Sequence, residues 1–296
     1  MHLSDLRIRD PFVLADANSG TYFLYGTTDP DPWSGAGVGF NAYRSEDLEN
    51  WVGPIDAFRP PTGFWGTTQF WAPEVHPHAG RYFMFASFAG AGRRRGTQVL
   101  VGDRPEGPFL PWSEGPVTPE GWESLDGTLH IDGEGSPWLV FCHEWVQIAD
   151  GSIAALRLTD DLKQAATEPV VLFHASEGPW TRSVPDTASF VTDGPFVTSD
   201  SITGELMMLW SSLGVEGYAV GVARSSTGIL GPWRHDSQPL WSSDGGHAMM
   251  FTTFDGRRIL ALHQPNDSPW ERASLHELSG DTLPDVNDDT SERNNS

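Results

Sequence analysis

Three aspartates, a glutamate and a histidine recur along this chain in one local setting, each beside Gly or Pro at the head of an alternating apolar run. They are Asp10 in Asp-Pro-Phe, Glu74 in Pro-Glu-Val, Asp126 in Asp-Gly-Thr, Asp193 in Asp-Gly-Pro and His247 in Gly-Gly-His. Carboxylates in that number, if brought together, can divide the work of general acid–base chemistry. An ionised one takes a proton from water, a protonated one gives a proton to a leaving atom, and a third holds its neighbour protonated by like charge. Singly, each has a plainer reading, because Asp before Pro and Asp-Gly are ordinary turn sequences. Their return at the same place in successive repeats favours the chemical reading.

The elements that must position them are hairpins. Each lead residue opens an apolar run that a Gly-containing turn joins to a second run, as in Asp10-Pro-Phe-Val-Leu to Tyr22-Phe-Leu-Tyr and Asp193-Gly-Pro-Phe-Val to Leu206-Met-Met-Leu-Trp. The five hairpins follow one another at intervals of roughly 50 to 70 residues, a spacing that suits four-stranded blades with variable loops. The fold expected is all-β, a five-bladed propeller of four-stranded blades around a central channel. In such a ring the innermost strands run in one sense, so their first residues meet at one mouth of the channel. The second strands return to that face. Thr27, Thr28, Ser87, His143, Glu144, Ser211, Ser212 and His263, at or near their ends, are expected around the same pocket. Arg44 to Trp51, Gly102 to Phe109 and Arg224 to Trp233 read as connections from third to fourth strands.

Composition agrees with one large domain. Gly 32, Pro 23 and 11% aromatic residues suit many short strands and tight turns, and no helical period runs for a useful length. The domain is expected over residues 1–278, followed by an acidic, disordered tail over 279–296 in which five acids face one arginine. Forty acids against 18 bases give a net charge of −22, which argues against nucleic acid and anionic membrane as partners. The Arg93-Arg94-Arg95 run reads as a solvated basic loop. The single cysteine, Cys142, allows no intrachain disulfide and is expected in a strand. No signal-like or membrane-spanning apolar run is present, from which a cytoplasmic location is expected.

Arg9-Asp10-Pro-Phe, Trp71-Ala-Pro-Glu-Val, Leu125-Asp126-Gly-Thr, Asp193-Gly-Pro-Phe and Gly245-Gly-His247, in that order along nearly the whole chain, resemble glycoside hydrolase family 43. The resemblance implies a five-bladed propeller and an inverting glycosidase acting on arabinose- or xylose-containing glycans. It makes Asp10 the general base, Asp126 the carboxylate that tunes the acid, and Asp193 the general acid. Such chemistry places base and acid about 6.5–9.5 Å apart, leaving room for a water. The sequence departs from the family at Asp193, where a Glu in Glu-Gly-Pro is usual. The side chain is shorter by one methylene, roughly 1.5 Å. Glu144, in Cys142-His143-Glu144-Trp145, is the rival for the acid role.

Sugar rings are expected to lie against aromatic faces, Trp71 first and Trp145 next among the 13 Trp. Trp33 and the Phe64-Trp65 loop could overhang the mouth. Glu74, His143, Ser211, His247 and His263 complete the expected substrate-binding set. The resemblance also makes His247 the candidate ligand of a structural calcium at the channel centre, with no cofactor required for the chemistry. The expected partner is an oligosaccharide, and the oligomeric state stays open. The leading function is release of α-L-arabinofuranosyl or β-xylosyl units. The alternatives are a glycan-binding propeller without activity and a propeller glycosidase of galactoside or fructoside specificity. The Asn-Asp-Pro and Glu-Cys motifs of retaining fructan-cleaving propellers are missing.

Overall fold

The structure, a computed structural model, describes residues 1–283. Among the described residues, nineteen strands form five sheets arranged as blades. Blade one is β1 (Arg9–Asp16), β2 (Thr21–Thr27), β3 (Phe40–Ser45) and β4 (Val52–Phe58). Blade two is β5 (Thr68–His78), β6 (Arg81–Gly90), β7 (Arg93–Gly102) and β8 (Leu110–Pro116). Blade three is β9 (Ser124–Ile131), β10 (Pro137–His143), β11 (Ser152–Arg157) and β12 (Val170–His174). Blade four is β13 (Asp193–Ser199), β14 (Leu206–Gly214), β15 (Gly217–Ser225) and the two-residue β16 (Arg234–His235). Blade five is β17 (Gly246–Thr252), β18 (Arg258–Gln264) and β19 (Arg272–Glu277).

Every sheet is an antiparallel meander in chain order, and the innermost strands β1, β5, β9, β13 and β17 contact one another around the channel. This is the five-bladed β-propeller expected from the repeats, with one correction. Among the described residues the fifth sheet has three strands, not four. No apolar alternating run follows β19, and the ring closes instead by packing β17 and β18 against β1. Side chains fasten that seam. Arg7 Nη2 pairs with Glu271 Oε1 at 2.9 Å, and Arg9 Nη2 donates to Asn266 Oδ1 at 2.5 Å. The Phe254 backbone N–H donates to the Tyr22 hydroxyl at 2.9 Å.

The core lies between blades. Phe40, Phe58, Phe70 and Phe88, all fully buried, interlock between the first two blades, and Trp180 and Trp210 lie together at 4.8 Å between the third and fourth. The fold continues past residue 278. Asp281 is buried, with Oδ1 2.7 Å from Arg258 Nε and Oδ2 accepting the Ser201 N–H at 2.7 Å. The rest of the expected tail, 284–296, lies outside the described residues.

One feature recurs at the head of every inner strand. Asp10, Ala72, Asp126, Gly194 and His247 have φ of 53°, 46°, 57°, 51° and 50°, and the pairing register slips by a bulge beside each. A left-handed residue in a bulge turns its own N–H out of the ladder. In four blades that N–H reaches a side chain on the second strand of the preceding blade. Ala72 donates to Thr27 Oγ1 (2.9 Å), Asp126 to Ser87 Oγ (2.9 Å), His247 to Ser211 Oγ (2.8 Å) and Asp10 to His263 Nδ1 (3.2 Å). The equivalent position in blade three is Cys142, and there the Gly194 N–H goes to Asp126 Oδ2 at 3.0 Å.

These links carry a stability prediction. Ser211→Ala strands the buried His247 N–H and should cost about 1–3 kcal/mol in denaturant unfolding. Ser212→Ala removes an equally buried hydroxyl that has no partner and should cost little or stabilise. Equal losses from the two variants would refute the link.

Candidate active site

A cavity of about 310 Å³ opens at the mouth where the inner strands begin, lined among others by Asp10, Asp126, Glu144, Asp193, Trp71 and Tyr218. Its wall comes from two tiers of equivalent positions. The left-handed tier contributes Asp10, Asp126 and His247, and the residues just before it contribute Arg9, Trp71, Leu125 and Asp193. Blade four cannot use the left-handed position for a side chain, because a Cβ on Gly194 would lie 2.8 Å from His247 Cγ. Its carboxylate therefore comes from one residue earlier. Asp-Gly-Pro is thus offset by one from Asp10-Pro and Asp126-Gly, a shift that the shared motif conceals.

Asp10 is buried, yet its charge is well compensated. Thr27 Oγ1 donates to Oδ2 at 2.7 Å, while Oδ1 faces His247 Nδ1 at 3.3 Å, His263 Nδ1 at 3.5 Å and Arg9 Nε at 3.6 Å. Burial opposes ionisation, but His247, Arg9 and the Thr27 hydroxyl together outweigh it and hold the carboxyl below its usual range. His263 is fully buried and accepts the Asp10 N–H on Nδ1, so its proton lies on Nε2, 3.3 Å from Asn266 Oδ1. Burial first, then the Arg9 charge, pull its pKa down to about 3, which keeps it neutral.

Asp193 has the opposite environment. Burial and the facing Asp126 carboxylate push its pKa up to about 7, with Glu144 adding to the rise, while His247 and a 3.0 Å hydrogen bond from the Tyr218 hydroxyl restrain it. Asp126 is likewise raised, by burial and then by Asp10, against the pull of the Gly194 N–H and Arg95. Both buried carboxyls are therefore raised, Asp193 in part by Asp126, and interacting groups of this kind titrate together rather than singly. The site thus sets one carboxyl held below its usual range against two held above it.

Glu144 lines the cavity, but its carboxylate is engaged. It pairs with Arg95, whose Nε also donates to Gln69 Oε1 at 3.1 Å and whose guanidinium lies 4.4 Å from the Trp71 ring centre. Burial raises the Glu144 pKa and Arg95 opposes the rise. The expected basic loop is therefore corrected: Arg93, Arg94 and Arg95 open β7, and Arg95 turns inward to form a wall. Trp71 is fixed further by Nε1 donating to Pro32 O at 2.6 Å and by the edge of Trp33 at 5.4 Å. Trp145, the first residue of a short helix, α1 (Trp145–Ile148), also lines the cavity.

Other expected site residues lie elsewhere. Two bulges in β5 make Ala72 the equivalent of Asp10, so Glu74 lies two residues along the strand, with Oε2 2.9 Å from His76 Nε2 and outside the cavity. His143 stacks on Trp122 at 4.0 Å and shares a 2.9 Å hydrogen bond with Gln147 Oε1, turned from the pocket. Thr27, Ser87, Ser211 and His263 stand behind the wall as acceptors, and Thr28 accepts the Asn41 N–H at 3.1 Å. Sequence reasoning passed over Arg9, Arg95, Tyr218 and Asn266. Arg9 adjoins Asp10 and Arg95 ends the basic run, whereas Tyr218 and Asn266 lie in a strand and a loop with no motif.

The donor set does not make a cage for calcium. Among the described residues no three His, Cys, Asp or Glu side chains converge in a way that could hold a metal ion, and His247 Nδ1 is turned to Asp10 and, at 3.7 Å, to Asp126. An ion beside His247 would have to draw its remaining ligands from water, and no step below passes through one.

A propeller mouth lined by three aspartates has the groups that acid–base cleavage of an acetal needs, and comparison with known proteins names the family. The family model "Glycosyl hydrolases family 43" matches residues 3–279, and the chain belongs to that family. It is similar to a solved structure titled as an endo-arabinase from Bacteroides thetaiotaomicron, at 40% identity and TM-score 0.87 over 97% of this chain and 98% of that one. It is 22% identical over 175 residues to an extracellular endo-alpha-(1->5)-L-arabinanase of Bacillus subtilis, covering 55% of this chain and 52% of that protein. It is 32% identical over 81 residues to xylosidase/arabinosidase 43A of Humicola insolens, covering 27% of this chain and 24% of that one. The matched stretches thus span about half and a quarter of these curated relatives.

The electrostatics predict a pH profile with its sign. Activity that needs Asp10 charged and Asp193 protonated falls as pH rises through about 7, and on the acid side falls only below the usual aspartate value of 3.8. Asp126→Asn keeps an acceptor for the Gly194 N–H but removes a negative charge facing Asp193, so the basic limb of kcat/KM should move to lower pH. An unmoved or raised limb would refute the coupling.

Proposed function

We propose that this chain is an inverting glycosidase that releases pentose units, α-L-arabinofuranosyl first and β-xylosyl second, from plant-type oligosaccharides. The observation that carries the mechanism is the division of protonation across one small cavity, with Asp10 held charged and Asp193 held protonated up to about pH 7. Asp10 takes a proton from a water that attacks the anomeric carbon, and Asp193 gives its proton to the departing glycosidic oxygen. Asp126 keeps that proton in place by like charge and, through the Gly194 N–H, ties the acid's strand to its own blade. Trp71, backed by Arg95 and edged by Trp33, offers the apolar face for a sugar ring. Glu144, committed to Arg95, supports that wall.

Arabinose is placed first because the relatives described above carry arabinanase and arabinosidase names. The endo-acting names among them support a second reading, cleavage within an arabinan chain. A panel of p-nitrophenyl glycosides together with linear arabinan and xylan tests both. Arabinose or xylose as the first product supports release of single pentoses, oligomers support internal cleavage, and turnover of galactosides or fructosides alone would overturn the pentose assignment.

With the preferred substrate, Asp10→Asn should leave unfolding unchanged and lower kcat about a hundred- to ten-thousandfold. Proton NMR of the first-formed sugar should show inverted anomeric configuration. Retention, or activity of the variant within tenfold of wild type, would refute the base assignment. Asp193→Ala should spare aryl glycosides with acidic phenols and cripple those with poor leaving groups, whereas Glu144→Ala should lower both alike.

A further inference from the structure

Tyr218 lies on the third strand of blade four, outside every repeated motif, yet its side chain reaches the cavity and its hydroxyl donates to Asp193 Oδ2 at 3.0 Å. Its ring fills the place where blade five would otherwise put a side chain. Gly246 is the register equivalent of Arg9, Trp71, Leu125 and Asp193, and a Cβ built there would lie 2.3 Å from Tyr218 Cε1. The ring is held on its other sides as well. Its backbone N–H donates to Asp244 Oδ1 at 3.2 Å, and it stacks on His263 at 5.7 Å between centres.

We propose that Tyr218 is a positioning residue for the general acid, fixing Asp193 through Oδ2 so that Oδ1 carries the transferable proton, in place of the reach that a glutamate would have. This inference rests on the reading of Asp193 as the acid. In the step, the Oδ1–H bond breaks and the proton passes to the glycosidic oxygen, which also keeps the electrons of the broken bond to the anomeric carbon. Water oxygen bonds to that carbon, and the proton it sheds goes to Asp10. Asp193 leaves the step as a carboxylate, and the hydrogen bond from Tyr218 then meets a full charge. Asp126, Glu144 and His247 are the other titratable groups facing Asp193. Burial and Asp193 hold the Tyr218 pKa well above its usual value, so the hydroxyl stays a donor.

The test compares two substrates that carry whichever glycone the wild-type chain cleaves, one a 2,4-dinitrophenyl and the other a 4-methoxyphenyl glycoside. Tyr218→Phe should lower kcat/KM for the methoxyphenyl glycoside about ten- to a hundredfold and change the dinitrophenyl glycoside by less than about threefold. Gly246→Ala, which displaces the ring and leaves the hydroxyl in the sequence, should reproduce that selectivity. Equal losses on both substrates, or none, in Tyr218→Phe protein that melts near wild type would overturn the proposal. Should Tyr218→Phe fail to fold, Gly246→Ala decides by the same comparison. A wild-type chain that cleaves no glycoside would remove the acid reading itself, a failure visible before any variant is made.

Discussion

The N–H that each inner strand turns out of its own sheet ties the ring together. A propeller blade has few backbone bonds to its neighbours, so its angular position depends on packing and on such side-chain links. Here three of the links begin at residues that line the cavity. Asp10 is fixed to blade five through His263, Asp126 to blade two through Ser87, and His247 to blade four through Ser211. Blade spacing and the positions of the reacting groups are therefore set by the same bonds, and a shift of one blade moves a carboxyl. The seam between first and last blades is the most exposed to this coupling, since among the described residues blade five has three strands and Asp10 lies on that seam.

From those fixed positions the environment assigns different work to three identical side chains. Asp10 has a hydroxyl donor, Arg9 and His247 around it, and is held below its usual range. Asp193 faces a carboxylate across buried space, and stays protonated until about pH 7. Asp126 lies between them, raised by one and raising the other. Burial alone would raise all three, so the difference comes from partners. The decisive ones are His247 and Arg9, which hold Asp10 low, and the Asp126 carboxylate, which holds Asp193 high.

Much of this was legible in the sequence because the repeat is periodic and the carboxyls fall at its head. Five hairpins with turn residues at regular intervals leave few folds open, and the order of the five motifs singled out the family. Three things escaped for physical reasons. A β-bulge inserts a residue without a sequence signature, which is why Glu74 read as a lead residue when Ala72 holds that place. Long-range side-chain partners such as Arg95 with Glu144, and Tyr218 with Asp193, join strands of different rank and leave no spacing to read. That blade five has three strands among the described residues is a matter of how the ring closes, to which a local pattern is blind.

The strained positions also warn against reading function from backbone conformation alone. A non-glycine residue at positive φ costs about 1–3 kcal/mol and often marks an active site. Four of the five inner strands here pay that cost, but Ala72 pays it with no reactive group to display. The left-handed turn is thus a requirement of the propeller link, present whether or not the side chain reacts. Blade four separates the two roles most clearly, with Gly194 meeting the backbone requirement and Asp193, one residue earlier, supplying the carboxyl. Carboxyls thus sit at a position the fold already has to hold rigid, and where a neighbouring imidazole leaves no room for a Cβ at Gly194, the carboxyl lies one residue earlier and accepts a tyrosine hydroxyl.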